Sequence, residues 1–166
     1  MTDRAASVPP PAPINVLFWQ DVFVVMDNGR ASPRHYGILG DLVLERARRY
    51  PGVGMLSIIP ANAIPPSDEA RTAMNAAIAR AEGSLKAICW LVEGGGFQGA
   101  MVRAVLTGLR LFGRHTYPTH VTTSMSEALA WILHQLDAGD LRLNLVPAGV
   151  QIIERQRANG QFVKAF

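Results

Sequence analysis

Ser67 stands at the head of a helical stretch in the run Pro65-Pro66-Ser67-Asp68-Glu69, and a serine there has two chemistries open to it. Its hydroxyl can cap the helix by accepting a backbone N–H, which is worth about 1 kcal/mol. It can also accept a phosphoryl group, adding about −1.5 to −2 charge at the positive end of the helix dipole. Asp68 and Glu69 already occupy that end and would repel the added charge. A second candidate is the run Glu93-Gly94-Gly95-Gly96-Phe97-Gln98-Gly99. Gly94, Gly96 and Gly99 satisfy G-x-G-x-x-G between a strand pattern and a helix pattern, where exposed N–H groups can hold a phosphate. Against a nucleotide, the run follows the fourth strand instead of opening the fold, and Glu93 repels phosphate at its mouth. Nor does an acid close the next strand about 20 residues on, as a ribose contact requires. A tight turn is one reading of the run. A ligand or partner loop built on Glu93, Gly94, Gly96, Phe97 and Gly99 is the other.

Arg103, Arg110 and Arg114 fall at i, i+7 and i+11, one stripe of a helix. Such a stripe is either a solvated face or a contact for an acidic partner. Catalytic patterns are missing from the sequence. There is no G-x-S-x-G elbow, and His35, His115, His120 and His134 are scattered without a nucleophile at motif spacing. The single cysteine, Cys89, lies inside the apolar run Ala87–Val92, which fits packing better than chemistry. No Cys or His spacing suits a metal. The expectation is therefore no catalytic residue, no metal and no cofactor.

A chain of 166 residues fits one domain and can bury an unstapled core. The net charge of +3 is small, and the basic residues are spread along the chain rather than gathered with aromatics, so nucleic acid is not an expected partner. Arg46, Arg48 and Arg49 do cluster, at a helix C-terminus where cations complement the dipole. Residues 1–13 lack the apolar stretch of ~7–15 residues that a secretion signal needs. No run approaches the ~18 apolar residues of a membrane span. A cytoplasmic protein is expected.

The elements that position these residues follow from apolar periodicity. Residues 1–13, with four prolines, read as a flexible arm. Ile14 to Trp19 and Val22 to Met26 read as a hairpin broken at Gln20-Asp21, followed by turn residues at Asp27-Asn28-Gly29. Helical spacing predicts a first helix from about Ile38 to Tyr50, ended by Pro51-Gly52. Val53 to Ile59 is the third strand, Pro60–Pro66 a loop, and Ser67 opens the second helix. The fourth strand, Ala87 to Val92, is apolar throughout and expected to be buried on both faces. A third helix runs to about Phe112, a fifth strand covers Tyr117 to Thr123, and Ser124 with Glu127 predicts a capping box opening a fourth helix through Leu136. Residues 138–166 are read as a C-terminal extension, in which Val150 to Arg157 is either a short helix or half of a hairpin turning at Asn159-Gly160. The whole is an α/β domain over residues 14–137, with a mixed, largely parallel five-stranded sheet and about four helices.

This β-β-α-β-α-β-α-β-α order resembles the STAS domain, the fold of bacterial anti-sigma-factor antagonists. The resemblance runs from about Ile14 to Leu136 and includes the closing strand–cap–helix segment THVTTSMSEALAW, Thr119 to Trp131. It implies a signalling role as a non-catalytic, regulatory protein-interaction module. In that family a switch serine sits where the loop after the third strand meets the second helix, and Ser67 matches it. The Asp before that serine and the Gly after it are absent here. The loops at Pro60–Ser67, Glu93–Gly99 and Thr123–Ser126 all follow strands, so a parallel sheet gathers them at one edge, where α/β folds bind. A protein docked at that edge is the leading functional expectation, and a homo-oligomer stays open. The alternatives are a small-molecule or lipid-binding domain using the Gly94–Gly99 loop, and an enzyme whose site has no sequence signature.

Overall fold

The computed structural model describes residues 14–94, 117–136, 140–160 and 163–164. β1 (Ile14–Trp19) and β2 (Val22–Asp27) form an antiparallel hairpin, and its two-residue turn puts Gln20 at φ 54°. There follow α1 (Pro33–Ala47), β3 (Val53–Ile59), α2 (Asp68–Arg80), β4 (Leu85–Val92) and β5 (Thr119–Thr122). After them come α3 (Met125–Leu136), a 3-10 turn at Asp140–Leu145, α4 (Val146–Ala158) and β6 (Val163–Lys164). The sheet order is β5-β4-β3-β2-β1-β6. β2 to β5 run parallel, whereas β1 is antiparallel to both of its neighbours. The chain is thus an α/β protein with a mixed, largely parallel sheet. The five expected strands are present, and the two-residue β6 is added at the β1 edge.

Side-chain alternation divides the core between the two faces of the sheet. One face carries Ile14, Val16, Phe23, Val25, Val53, Ile88 and Trp90 and is covered by α1 and α2 through Tyr36, Leu39, Val43, Ala70 and Ala77. The other carries Val22, Val24, Leu56, Ile58, Cys89 and Leu91 under Leu129, Ile132 and Leu133 of α3 and Ile153 of α4. β4 feeds both layers, which is why its sequence is apolar without alternation and all but Lys86 is buried.

Three local readings need correction. α1 begins at Pro33, not near Ile38, because Ser32 caps it, Pro33 takes the first helical position and the His35 ring closes the cap. It ends at Ala47, short of Tyr50, where the residue before Pro51 is biased away from helical backbone. The C-terminal residues are no appendage. Helix, not hairpin, is the form of Val146–Ala158, and it buries Val146 and Ile153 in the second layer before the chain turns into β6. The expected arm at 1–13 and the expected third helix lie outside the described residues.

Candidate functional site

Because β2 to β5 are parallel, their outgoing turns meet along one edge, and hydrogen bonds tie those turns together. Asp27 ends β2 with both carboxylate oxygens engaged. Oδ1 accepts the Gly29 N–H at 2.7 Å, and Oδ2 accepts the Tyr36 hydroxyl at 2.6 Å. Burial and the adjacent Asp27 charge push the Tyr36 hydroxyl well above its ordinary range, so it stays a donor. Gly29 has φ +78°, and a Cβ there would lie 1.6 Å from the Ile64 carbonyl oxygen, so only glycine fits. The contact carries a bond as well, since the Ile64 N–H donates to the Asn28 carbonyl at 3.0 Å.

The loop after β3 is therefore braced against the turn after β2. It displays Ala61, Asn62, Ile64 and Pro65 to solvent, and Ile64 is 48% exposed. Ser67 then caps α2 as expected, its Oγ accepting the Ala70 N–H at 3.2 Å. Asp68 and Glu69 occupy the first turn, Asp68 paired with Arg71 across the helix surface. At the next turn the Glu93 N–H donates to the Ile59 carbonyl at 2.9 Å. Gly94, at φ +87°, passes so close to Ala61 that a Cβ would sit 2.8 Å from its methyl. Residues 60–67 and 93–94 are thus neighbours at one edge. The Glu93 carboxylate, expected to repel an anion at the loop mouth, is held by the Arg157 guanidinium of α4, with Nη2 2.6 Å from Oε2. Gly96, Phe97, Gly99, Arg103, Arg110 and Arg114 lie outside the described residues.

The fourth turn joins β5 to α3. Ser124 Oγ accepts the Glu127 N–H at 3.3 Å, but the expected reciprocal half of the capping box is missing. The Glu127 carboxylate instead accepts the Thr122 hydroxyl at 2.6 Å and lies 2.9 Å from His120 Nε2, while the Ser124 N–H goes to Thr122 Oγ1. Hydrogen bonds from Thr122 and then His120 hold the Glu127 carboxyl below the usual carboxylate range. The His120 ring stacks on Trp131 with centroids 5.2 Å apart. Behind it the Cys89 thiol is buried and pushed up to about 12, first by burial and then by the Glu127 charge. A thiol so protonated is a poor nucleophile.

Sequence reasoning missed Ser32 and its contact with His35. Ser32 Oγ lies 2.7 Å from His35 Nδ1, the spacing of a nucleophile and its base. That nitrogen also accepts the N–H of Ser32 at 2.9 Å, so its one lone pair closes the α1 cap. The dipeptide Ser32-Pro33, a cap followed by a first-turn proline, was the available signal. Among the described residues no group of three or more His, Cys, Asp or Glu could hold a metal, and no helix is long and apolar enough to cross a membrane. A cavity of about 50 Å³ between α1, α2 and the sheet is lined by Tyr36, Leu39, Met55, Met74, Ala77 and Trp90. A second cavity of about 150 Å³ lies against Phe18, Leu42, Arg46 and Arg49, and both are below the ~300–1,000 Å³ of a small-molecule site.

Compared with known proteins, the chain matches no family model, no curated protein and no solved structure. Its class is set by the fold alone: an α/β protein whose parallel strands deliver four turns to one edge.

Proposed function

We propose that the chain is a regulatory interaction module of the STAS kind, cytoplasmic and non-catalytic, which docks a protein partner at the carboxyl edge of the sheet. The observation that carries this reading is Ile64. A half-exposed isoleucine on a loop bonded to the neighbouring turn is pre-organised apolar surface, and ordering such a loop before binding reduces the entropy lost on docking. Ser67, at the junction of that loop with α2, occupies the place of the STAS switch serine, so partner and switch would share one surface. Small cavities and an imidazole engaged in a helix cap offer less to a ligand-binding or catalytic reading.

The test is site-specific photocrosslinking in cells that express the chain. A photoreactive residue at position 64 should trap a discrete heterologous protein, and one at Ile152, the exposed isoleucine on α4, should not. Ile64→Asp should reduce recovery of that protein at least tenfold. Equal capture from both positions, or none from position 64, would overturn the reading.

A further inference from the structure

We propose that the corner of this edge formed by the starts of α1 and α2 pairs with the same corner of a second copy of this chain, about a two-fold axis passing by Ile64. The inference rests on reading the edge as a docking surface and names one occupant for it. The argument is from charge. At the start of α1 stand Arg30 and Arg34, both exposed, and the first turn of that helix contains no acid. At the start of α2 stand Asp68 and Glu69, also exposed, with the Asp68 side chain 90% accessible although paired with Arg71 of its own helix. Ile64 connects the two, bonded through its N–H to Asn28, two residues before Arg30, and four residues ahead of Asp68. Its neighbours Ala61 and Pro65 extend the apolar centre.

A surface with an apolar middle and opposite charges on its two flanks is self-complementary under a two-fold rotation. Turned onto itself, it sets Arg30 and Arg34 of one protomer against Asp68 and Glu69 of the partner subunit, twice, with the two Ile64 side chains meeting at the axis. The pairing uses the surface a heterologous partner would need, so self-association and docking exclude one another. Mass action between them gives the module a reserve state in which its edge is covered.

Sedimentation equilibrium of the full chain reads this directly. In low salt (~0.02 M) the mass should rise with concentration from 18.0 kDa towards twice that value. The dissociation constant should weaken about tenfold or more at ~0.5 M salt, because exposed charges are screened. Arg34→Glu and Glu69→Arg, each at an exposed position and each checked for native circular dichroism, should separately leave the chain monomeric. Mixed in equal amounts they should dimerise again, since each then offers the other the charge it lacks. A monomer under all conditions overturns the proposal, as does a dimer indifferent to both charge reversals or a mixture that stays monomeric. Should the chain stay monomeric while Ile64→Asp still abolishes capture of a heterologous protein, the self-pairing falls and the docking surface stands. Should it dimerise as described yet trap no other protein through position 64, the docking reading falls and the self-pairing stands.

Discussion

At the amino ends of the parallel strands the hairpin turn is bolted down, and at their carboxyl ends a proline- and alanine-rich loop is left facing water. The bolts are specific. Arg142, in the 3-10 turn, grips both carboxylate oxygens of Asp21 at 2.6 and 2.7 Å and the Gln20 side chain at 2.7 Å. Arg46 of α1 donates to the Gln20 carbonyl, and its guanidinium is flanked by the Phe18 and Tyr50 rings at 4.9 and 4.6 Å. The side chains of the Arg142–Asp21 pair are only 20% and 14% exposed. The loop after β3 is held by its backbone to Asn28 and by the close approach of Ala61 to Gly94, while Asn62, Ile64 and Pro65 face solvent. One pole engages its side chains within the fold, and the other turns most of them to solvent.

Breaking each pole in turn tests that contrast. Asp21→Ala strands a mostly buried guanidinium and unpins the 3-10 turn. The expected loss is about 2 kcal/mol, below the ~3–5 kcal/mol seen when a fully buried pair loses one member. The melting temperature should then fall by about 4–8 °C, at ~2–4 °C per kcal/mol for a chain of this size. Ile64→Asp should stay within about 0.5 kcal/mol of the wild type, as substitutions at uncommitted surface do. Thermal melts of the two variants side by side decide the matter. Comparable losses would mean that Ile64 supports the fold, and the idea of a surface held in reserve would fail.

Ser67 stands between the two cases, since it both caps α2 and faces the open edge. Ser67→Ala should cost about 1 kcal/mol through the lost bond to Ala70. That corresponds to a melting temperature lower by about 2–4 °C. Ser67→Asn, whose side chain also caps, should recover most of the loss. An alanine variant that melts with the wild type would show that the cap bond to Ala70 adds nothing to stability.

The two poles were not equally legible from the sequence. β4 announced itself as a run of apolar residues, and Ser67 announced α2, because burial on both faces and helix capping are written within a few neighbouring positions. The convergence of residues 60–67 with 93–94 followed from strand order, since parallel strands must send their turns the same way. The Asp21–Arg142 clamp had no such signal. Its partners are 121 positions apart, and nothing local distinguishes Arg142 from the other arginines. The start of α1 was misplaced for a milder reason, as apolar spacing marks the buried face and the polar first turn precedes it. Glu127 shows where a local motif misleads. The Ser124–Glu127 spacing is that of a capping box, yet the closer Thr122 hydroxyl and the His120 ring draw the carboxylate back to β5.

That stitch between β5 and α3 gives the finest test of how firmly the carboxyl edge is fastened away from Ile64. Hydrogen bonds from Thr122 and His120 favour the ionised carboxyl, so the folded-state pKa of Glu127 lies below its unfolded value. Its contribution is therefore complete above the unfolded carboxylate range and is lost as pH falls through the folded pKa. Glu127→Gln keeps one acceptor and removes the charge, so it melts below the wild type by a degree or two near pH 5. The gap should close as the pH is taken from about 5 to about 3, across and below the unfolded Glu value near 4.3. Because the carboxyl is exposed, the gap should also narrow with added salt. A difference that persists undiminished at the acid end would mean that shape rather than charge holds this junction. The turn after β5 would then belong with the open corner beside Ile64, and the stitched part of the edge would reduce to the Asp27 bonds and the Glu93–Arg157 pair.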